Sequence, residues 1–263
     1  MMQVMDISWA ALAGVFGMLT VPAIIMLWAG VPLVRQMILA AGRMTVQLVL
    51  VALYLEFIFR LNNFWINSSW VLVMIVIANL NITRSAGLKL RRLFPYLLAG
   101  LAAGTLPVVG FFVCIAVRPE PFYDARYLIP ISGMVLGNCL RANVIALERF
   151  YSAIRANAKE FITYLSLGAT LQEACQPYMR QALQAAIAPT ISTMATMGLV
   201  SLPGMMTGQI LGGSSPMTAI KYQIAVMLAI FCATVITAFV NIHFSQRAAF
   251  TPYNLLNPEI FSR

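Results

Sequence analysis

Residues 7–29, ISWAALAGVFGMLTVPAIIMLWA, pass without one charged side chain, and that apolar length constrains the chain more than any motif in it. A helix rising about 1.5 Å per residue needs about 20 such residues to cross the hydrocarbon core of a bilayer. Within lipid, each backbone N–H and C=O must be bonded inside the segment that carries it. Comparable stretches recur, so spans are expected at about 7–29, 44–59, 69–83, 93–117, 128–148, 190–212 and 219–244. Only 10% of residues are charged and 61% are hydrophobic, where soluble domains run near a quarter charged. The sequence predicts an all-α, multi-pass integral membrane helical bundle of about seven transmembrane segments and excludes a soluble fold. Asp6, rather than a basic region, precedes the first span, and no small-residue cleavage site follows, so that span reads as uncleaved.

The net charge of +9 raises nucleic acid as a partner, and the placement of the charges answers it. With the N-terminus outside and the C-terminus inside, one side of the membrane receives Arg35, Arg43, Arg84, Lys89, Arg91, Arg92, Arg149, Arg155, Lys159, Arg180, Arg247 and Arg263. The other receives only Arg60, Arg118 and Arg126, the last two sharing RPEPFYDAR with Glu120 and Asp124. Twelve against three is the positive-inside asymmetry of a cell-membrane protein. The basic balance is therefore topology, with the lipid bilayer and no nucleic acid as partner. Cys114, Cys139, Cys175 and Cys232 stand far apart, with neither a disulfide framework nor a zinc spacing.

Polar residues near the spans are sparse enough to treat singly. Asn62, Asn63, Asn67, Ser68 and Ser69 mark an outer turn, with Trp65 and Trp70 as interface anchors. Glu56 precedes Arg60 by four residues, the favourable order for a helical ion pair. Asn138, Arg141 and Glu148 share a narrow arc at about 100° per residue. Two readings of that stripe stay open: Arg141 snorkels to the cytoplasmic interface, or the stripe lines a cavity.

Between the fifth and sixth expected spans, residues 149–189 form the one sizeable cytoplasmic segment, too short to bury a core of its own. EFITYLSLGATLQEA reads as a helix ending at Gly168, a left-handed cap, followed by Thr170-x-x-Glu173, a capping box that opens another. Pro177 is expected to limit this second helix to about two turns or to start a third. The product is a helix–turn–helix held at the bilayer surface, shaped to be pushed by something else.

The sixth span is interrupted. GLVSLPGMMTGQILGGSSP, residues 198–216, includes Ser201 and has Pro203 beside Gly204, with Gly204, Gly208 and Gly212 at G-x-x-x-G spacing, which brings helix backbones together. A break at membrane depth has to face protein or a water-lined path. Gly100/Gly104 and Gly133/Gly137 repeat the spacing and read as plain packing. Met194, Met197, Met205 and Met206 surround the break and offer soft thioethers to a metal, though methionines also fill gaps. There is no phosphate loop, no H-E-x-x-H, and a single histidine, His243, at the end of the last span. No enzyme is expected, and no cofactor on this chain.

GLVSLPGMMTGQILGGSSPMTAIKYQI (198–224), IPISGMVLGN (129–138), ALERF (146–150), LSLGAT (165–170) and GRMTVQL (42–48) together resemble the FetB-type permeases. These are bacterial iron-export partners of the FetA ATPase, related to plant aluminium-tolerance permeases. The resemblance covers most of the chain. It implies one permease domain, 1–263, of an ABC transporter, exporting iron with a separate subunit that carries ATP and Mg, and pairing as a homodimer. LSLGAT also looks like a coupling loop, which implies that Leu167, Gly168, Ala169, Thr170 and Glu173 engage that ATPase. Two positions depart from the family pattern: Arg141 stands where a small or uncharged residue is expected, and Ser192 where Asn is commoner after Pro-Thr-Ile. The alternatives are an ABC permease for another cargo, a self-contained secondary carrier or channel, and a membrane scaffold.

Overall fold

The computed structural model describes residues 7–200 and 202–261; Asp6, Ser201 and Arg263 lie outside the described residues. Its helices are α1 (Trp9–Gly17), α2 (Thr20–Trp28), α3 (Val34–Leu61), α4 (Phe64–Ser85), α5 (Leu90–Phe111), α6 (Ala125–Ala156), α7 (Ala158–Ser166), α8 (Leu171–Thr196), α9 (Gly204–Leu211) and α10 (Pro216–Ala249). A π-helical turn, Phe112–Val117, extends α5, and a 3₁₀ turn, Pro258–Ile260, follows α10. Among the described residues six stretches are long and apolar enough to cross a membrane: Trp9–Trp28, Val34–Leu61, Phe64–Ser85, Arg91–Val117, Ala125–Ala156 and Pro216–Ala249. The protein is a multi-pass helical membrane bundle. The expected sixth span, 190–212, is not one helix: it divides into the last turns of α8, a non-helical stretch through 198–200 and 202–203, and α9.

The outer turn between α3 and α4 fastens three elements. Asn62 ends α3 in the left-handed region at φ 37°, a conformation asparagine tolerates. Asn63 then caps α4, its side chain accepting from the Trp65 N–H at 2.9 Å. Asn62 Oδ1 accepts from the Ala125 N–H at 3.0 Å, and Asn67 Nδ2 donates to the Tyr123 carbonyl at 2.8 Å, so the same turn holds the start of α6. Glu56 and Arg60 form their ion pair at 2.6 Å, both exposed.

The core lies among α4, α5, α6, α8 and α10. α5 meets α10 at backbone range because residues 100 and 104 have no side chain. A Cβ on Gly100 would run into the Asn241 side chain, and one on Gly104 would stand 3.0 Å from the Thr237 backbone nitrogen and collide with its methyl. By contrast, α1 and α2 bury no residue and α3 buries only Ile58, leaving their apolar side chains outward, as lipid contact requires. A hollow of about 480 Å³ between α1 and α3 is lined by apolar groups such as Trp9, Phe16, Met44 and Leu48. Its one hydroxyl, on Thr45, is already bonded to the Ala41 carbonyl.

One expectation is corrected. Pro177 neither stops a helix nor starts one: α8 runs unbroken for 26 residues with Pro177 and Pro189 inside it. An interior proline costs about 3 kcal/mol, but Ala174, Cys175, Tyr178, Ala182 and Ala186 are buried on one face, and that packing outweighs the lost hydrogen bond. The tail folds back beneath the bundle, where the Lys89 N–H donates to the Ile260 carbonyl at 2.7 Å and Arg92 pairs with Glu259 at 2.6 Å.

Overpacking the α5–α10 contact is expected to destabilise the protein by about 1–3 kcal/mol. Gly104→Val should lower the melting temperature in detergent, whereas Gly110→Ala on the same helix, where a Cβ meets nothing within 4 Å, should not.

Candidate functional site

The cytoplasmic turn is built by two local rules. α7 closes in a Schellman motif: the Gly168 N–H donates to the Leu165 carbonyl and the Ala169 N–H to the Tyr164 carbonyl, each at 3.1 Å, with Gly168 at φ 95°. α8 opens with a complete capping box, in which the Thr170 N–H and hydroxyl each donate to Glu173 Oε2 at 2.7 Å, and the Glu173 N–H donates back to Thr170 Oγ1 at 3.3 Å. Those bonds, the backbone one foremost, hold the Glu173 carboxyl below the usual carboxylate range. Its contribution is present at neutral pH and is lost only as pH falls through that lowered value. Between the two caps Leu167 is 81% exposed, beside an exposed Ile162. Two caps thus fix a turn whose tip is apolar and open to water.

Inside the bundle a polar seam joins α6 to α10. Asn241 Nδ2 donates to Asn143 Oδ1 at 2.7 Å, and Asn143 Nδ2 donates to Thr237 Oγ1 at 2.9 Å and to the Cys139 carbonyl at 2.8 Å. Further along, the Tyr151 hydroxyl donates to Ser245 Oγ at 2.6 Å. Asn143, Thr237 and Asn241 are fully buried, and Gly100 and Gly104 close over Asn241 and Thr237 from α5. Sequence reasoning missed this seam. Its signal was present as Thr234, Thr237, Asn241 and Ser245, polar residues at helical spacing on one face of an apolar helix.

Asn138 and Arg141 come together, and Glu148 does not join them. Both line a cavity of about 200 Å³ between α6, α8 and α10, with Pro189, Thr190 and Thr193 opposite and Met227 at its side. Glu148, two turns further down α6, instead receives the Ser152 hydroxyl at 3.2 Å and lies 3.9 Å from Arg149.

The interrupted segment behaves differently from the buried glycine pair. Pro203 stands at the N-cap of α9 rather than inside a helix. Hypothetical Cβ atoms at Gly204 and Gly208 would meet nothing within 4 Å, and one at Gly212 would touch only its own turn, so among the described residues this glycine face meets no other element. Leu199 is 90% and Val200 81% exposed. Met197 Sδ accepts from Gln223 Nε2 at 3.7 Å, Met205 packs on the core, and Met194 and Met206 are half-buried. Among the described residues no group of three or more His, Cys, Asp or Glu could hold a metal ion. His243 stacks on Phe239, with ring centroids 6.3 Å apart.

The model of the uncharacterised protein family UPF0014 matches residues 9–250. The chain belongs to UPF0014. Within that family it is 36% identical to the UPF0014 membrane protein slr1647 of Synechocystis, over 86% of this chain and 87% of the relative. It is 30% identical to Protein ALUMINUM SENSITIVE 3 of Arabidopsis thaliana, over 86% and 82%. It is 27% identical to the probable iron export permease protein FetB of Escherichia coli, over 81% of each. No solved structure matches. The FetB-type resemblance read from the motifs is thereby established.

In this UPF0014 chain the seam is expected to matter more for stability than the stripe. Asn143→Leu leaves the buried Asn241 amide without its acceptor and takes from Thr237 the bond it accepts, and should cost about 1–3 kcal/mol. Asn138→Leu removes only a bond to its own helix, from Asn138 Nδ2 to the Met134 carbonyl, and should cost less. Thermal melting of the two purified variants compares them directly.

Proposed function

We propose that this chain is the permease subunit of an ABC transporter that exports iron or a related metal species. It works by alternating access, as a homodimer with two copies of a separate ATP-binding subunit. The observation that carries the reading is the capped turn at Leu167–Thr170, an apolar tip held rigidly outside the membrane at the end of a helix that continues into the bundle. A soluble partner with a complementary groove covers Leu167, and its closure on ATP pushes α8. The iron cargo and the outward direction come from FetB, whose name describes a probable iron export permease.

The pairing of two copies is supported by the interrupted segment. Non-helical backbone at membrane depth has to be covered by protein or to line an aqueous cavity, and one copy leaves Leu199, Val200 and the Gly204/Gly208 face uncovered. A second copy related by two-fold symmetry would present the same face to it.

Two experiments test these points. Leu167→Asp, which alters an exposed side chain, and Gly168→Val, which disfavours the left-handed cap, should each reduce the partner's stimulated ATP hydrolysis to its basal rate while the permease stays in the membrane. Unchanged stimulation in both would overturn the coupling role. For pairing, Gly208→Cys in a background lacking exposed Cys114 and Cys232 should form a disulfide-linked dimer on oxidation in membranes, and a chain that stays monomeric there would reject this face as the contact.

A further inference from the structure

We infer that the cavity around Arg141 is a binding site for a small oxyanion of the phosphate or carboxylate class, and that the species this transporter handles is therefore anionic at this point of its path. The inference rests on the permease reading above and specifies its cargo chemistry.

Arg141 lies about 24 Å along α6 from Ala125 and seven residues, about 10 Å, before the expected inner end of its span at residue 148, with its side chain exposed. A guanidinium is a fixed cation with five donors and no acceptor. At such depth it is retained where something pairs with it. Among the described residues Arg141 takes part in no ion pair: those present are Glu56–Arg60, Arg92–Glu259 and Glu148–Arg149. Glu148, the carboxylate that shares its stripe, does not line the cavity.

The remaining polar lining, Asn138, Thr190 and Thr193, is uncharged and can donate as well as accept. Asn138 spends one amide hydrogen on the Met134 carbonyl at 2.8 Å and keeps the other. Thr193 returns its hydroxyl to the Pro189 carbonyl at 2.9 Å, whereas no hydrogen bond occupies the Thr190 hydroxyl among the described residues. A space of about 200 Å³ with one fixed positive charge, free N–H and O–H groups and no carboxylate disfavours a bare metal cation. It suits a tetrahedral oxyanion or a carboxylate, met free or as the outer ligand of a metal complex. The guanidinium also faces α8, the helix that begins at the coupling turn, so the site lies where a push on that turn would be felt.

The test uses the full chain in phosphatidylcholine nanodiscs, with calorimetric titration of inorganic phosphate, sulfate and citrate. At least one should bind, about tenfold or more weaker in Arg141→Gln and partly restored in Arg141→Lys, with unchanged melting temperatures. Adding phosphatidylglycerol to the discs separates two sources of the same chemistry. Binding that persists identifies a water-borne anion, and Arg141-dependent displacement by the lipid identifies a headgroup phosphate. Absence of any Arg141-dependent binding, of the three anions and of the lipid alike, overturns the site. Partner-stimulated ATP hydrolysis measured on the same samples keeps the outcomes apart: if it persists without anion binding, this inference falls and the permease reading stands.

Discussion

α5 can lie against α10 at backbone range only because Gly100 and Gly104 present no side chain to Asn241 and Thr237. Much of the bundle depends on that approach. It brings the α10 stripe under cover, so that Asn241, Asn143 and Thr237 lose water together and have to satisfy one another. In lipid the hydrophobic effect no longer drives helices together. Close packing at the glycines and hydrogen bonds along the seam take over that role, and they fix which face of α6 meets which face of α10. Tyr151 and Ser245 extend the register toward the cytoplasm. The α1–α3 hairpin has no such device and is held near its outer end through Ile58, Ala125 and Ile129.

The cytoplasmic face is organised by the opposite economy, with local caps instead of long-range packing. The Schellman bonds of α7 and the capping box of α8 are each closed within six residues of sequence. The turn therefore needs little from the rest of the fold to hold its shape. The tail adds support from beneath, where Phe250 stacks near Phe161 and Arg155 lies over Phe261. A tip with an exposed leucine results, braced by a cap on either side and continuous with α8.

This division explains which parts of the molecule could be read from sequence. The turn was legible residue by residue, because caps are local and their signatures are contiguous. The spans were legible from apolar length, although α6 and α10 run several residues beyond the expected ends, since helices continue into water where packing supports them. Pro177 misled, because its local penalty is set against burial of Ala174, Cys175, Tyr178 and Ala182, which depends on a partner helix not deducible from the segment. The glycine pairs show a different limit. Identical spacing at 100/104 and 204/208 leads to a buried contact in one case and an open face in the other, and only the position of a neighbour distinguishes them.

The bundle's interfaces also differ in what holds them. α6 is tied to α10 by side-chain hydrogen bonds at Asn143 and Tyr151, while among the described residues no side-chain hydrogen bond joins α6 to α8. There the contact is made by small or flat groups, Ala174, Cys175, Tyr178, Ala182 and Ala186. An interface of that kind resists separation but offers little directional resistance to sliding, the behaviour of shear motions between packed helices. So α6 is pinned to α10, whereas α8 meets α6 through packing alone and is tied to α10 only at its C-cap, where Gln223 donates to Met197 Sδ among the described residues. The Arg141 cavity lies on that boundary, one wall on pinned α6 and the other on α8 at Pro189, where the proline has already removed a rung of the helix ladder. Displacement of α8 along α6 would carry Pro189, Thr190 and Thr193 past Asn138 and Arg141.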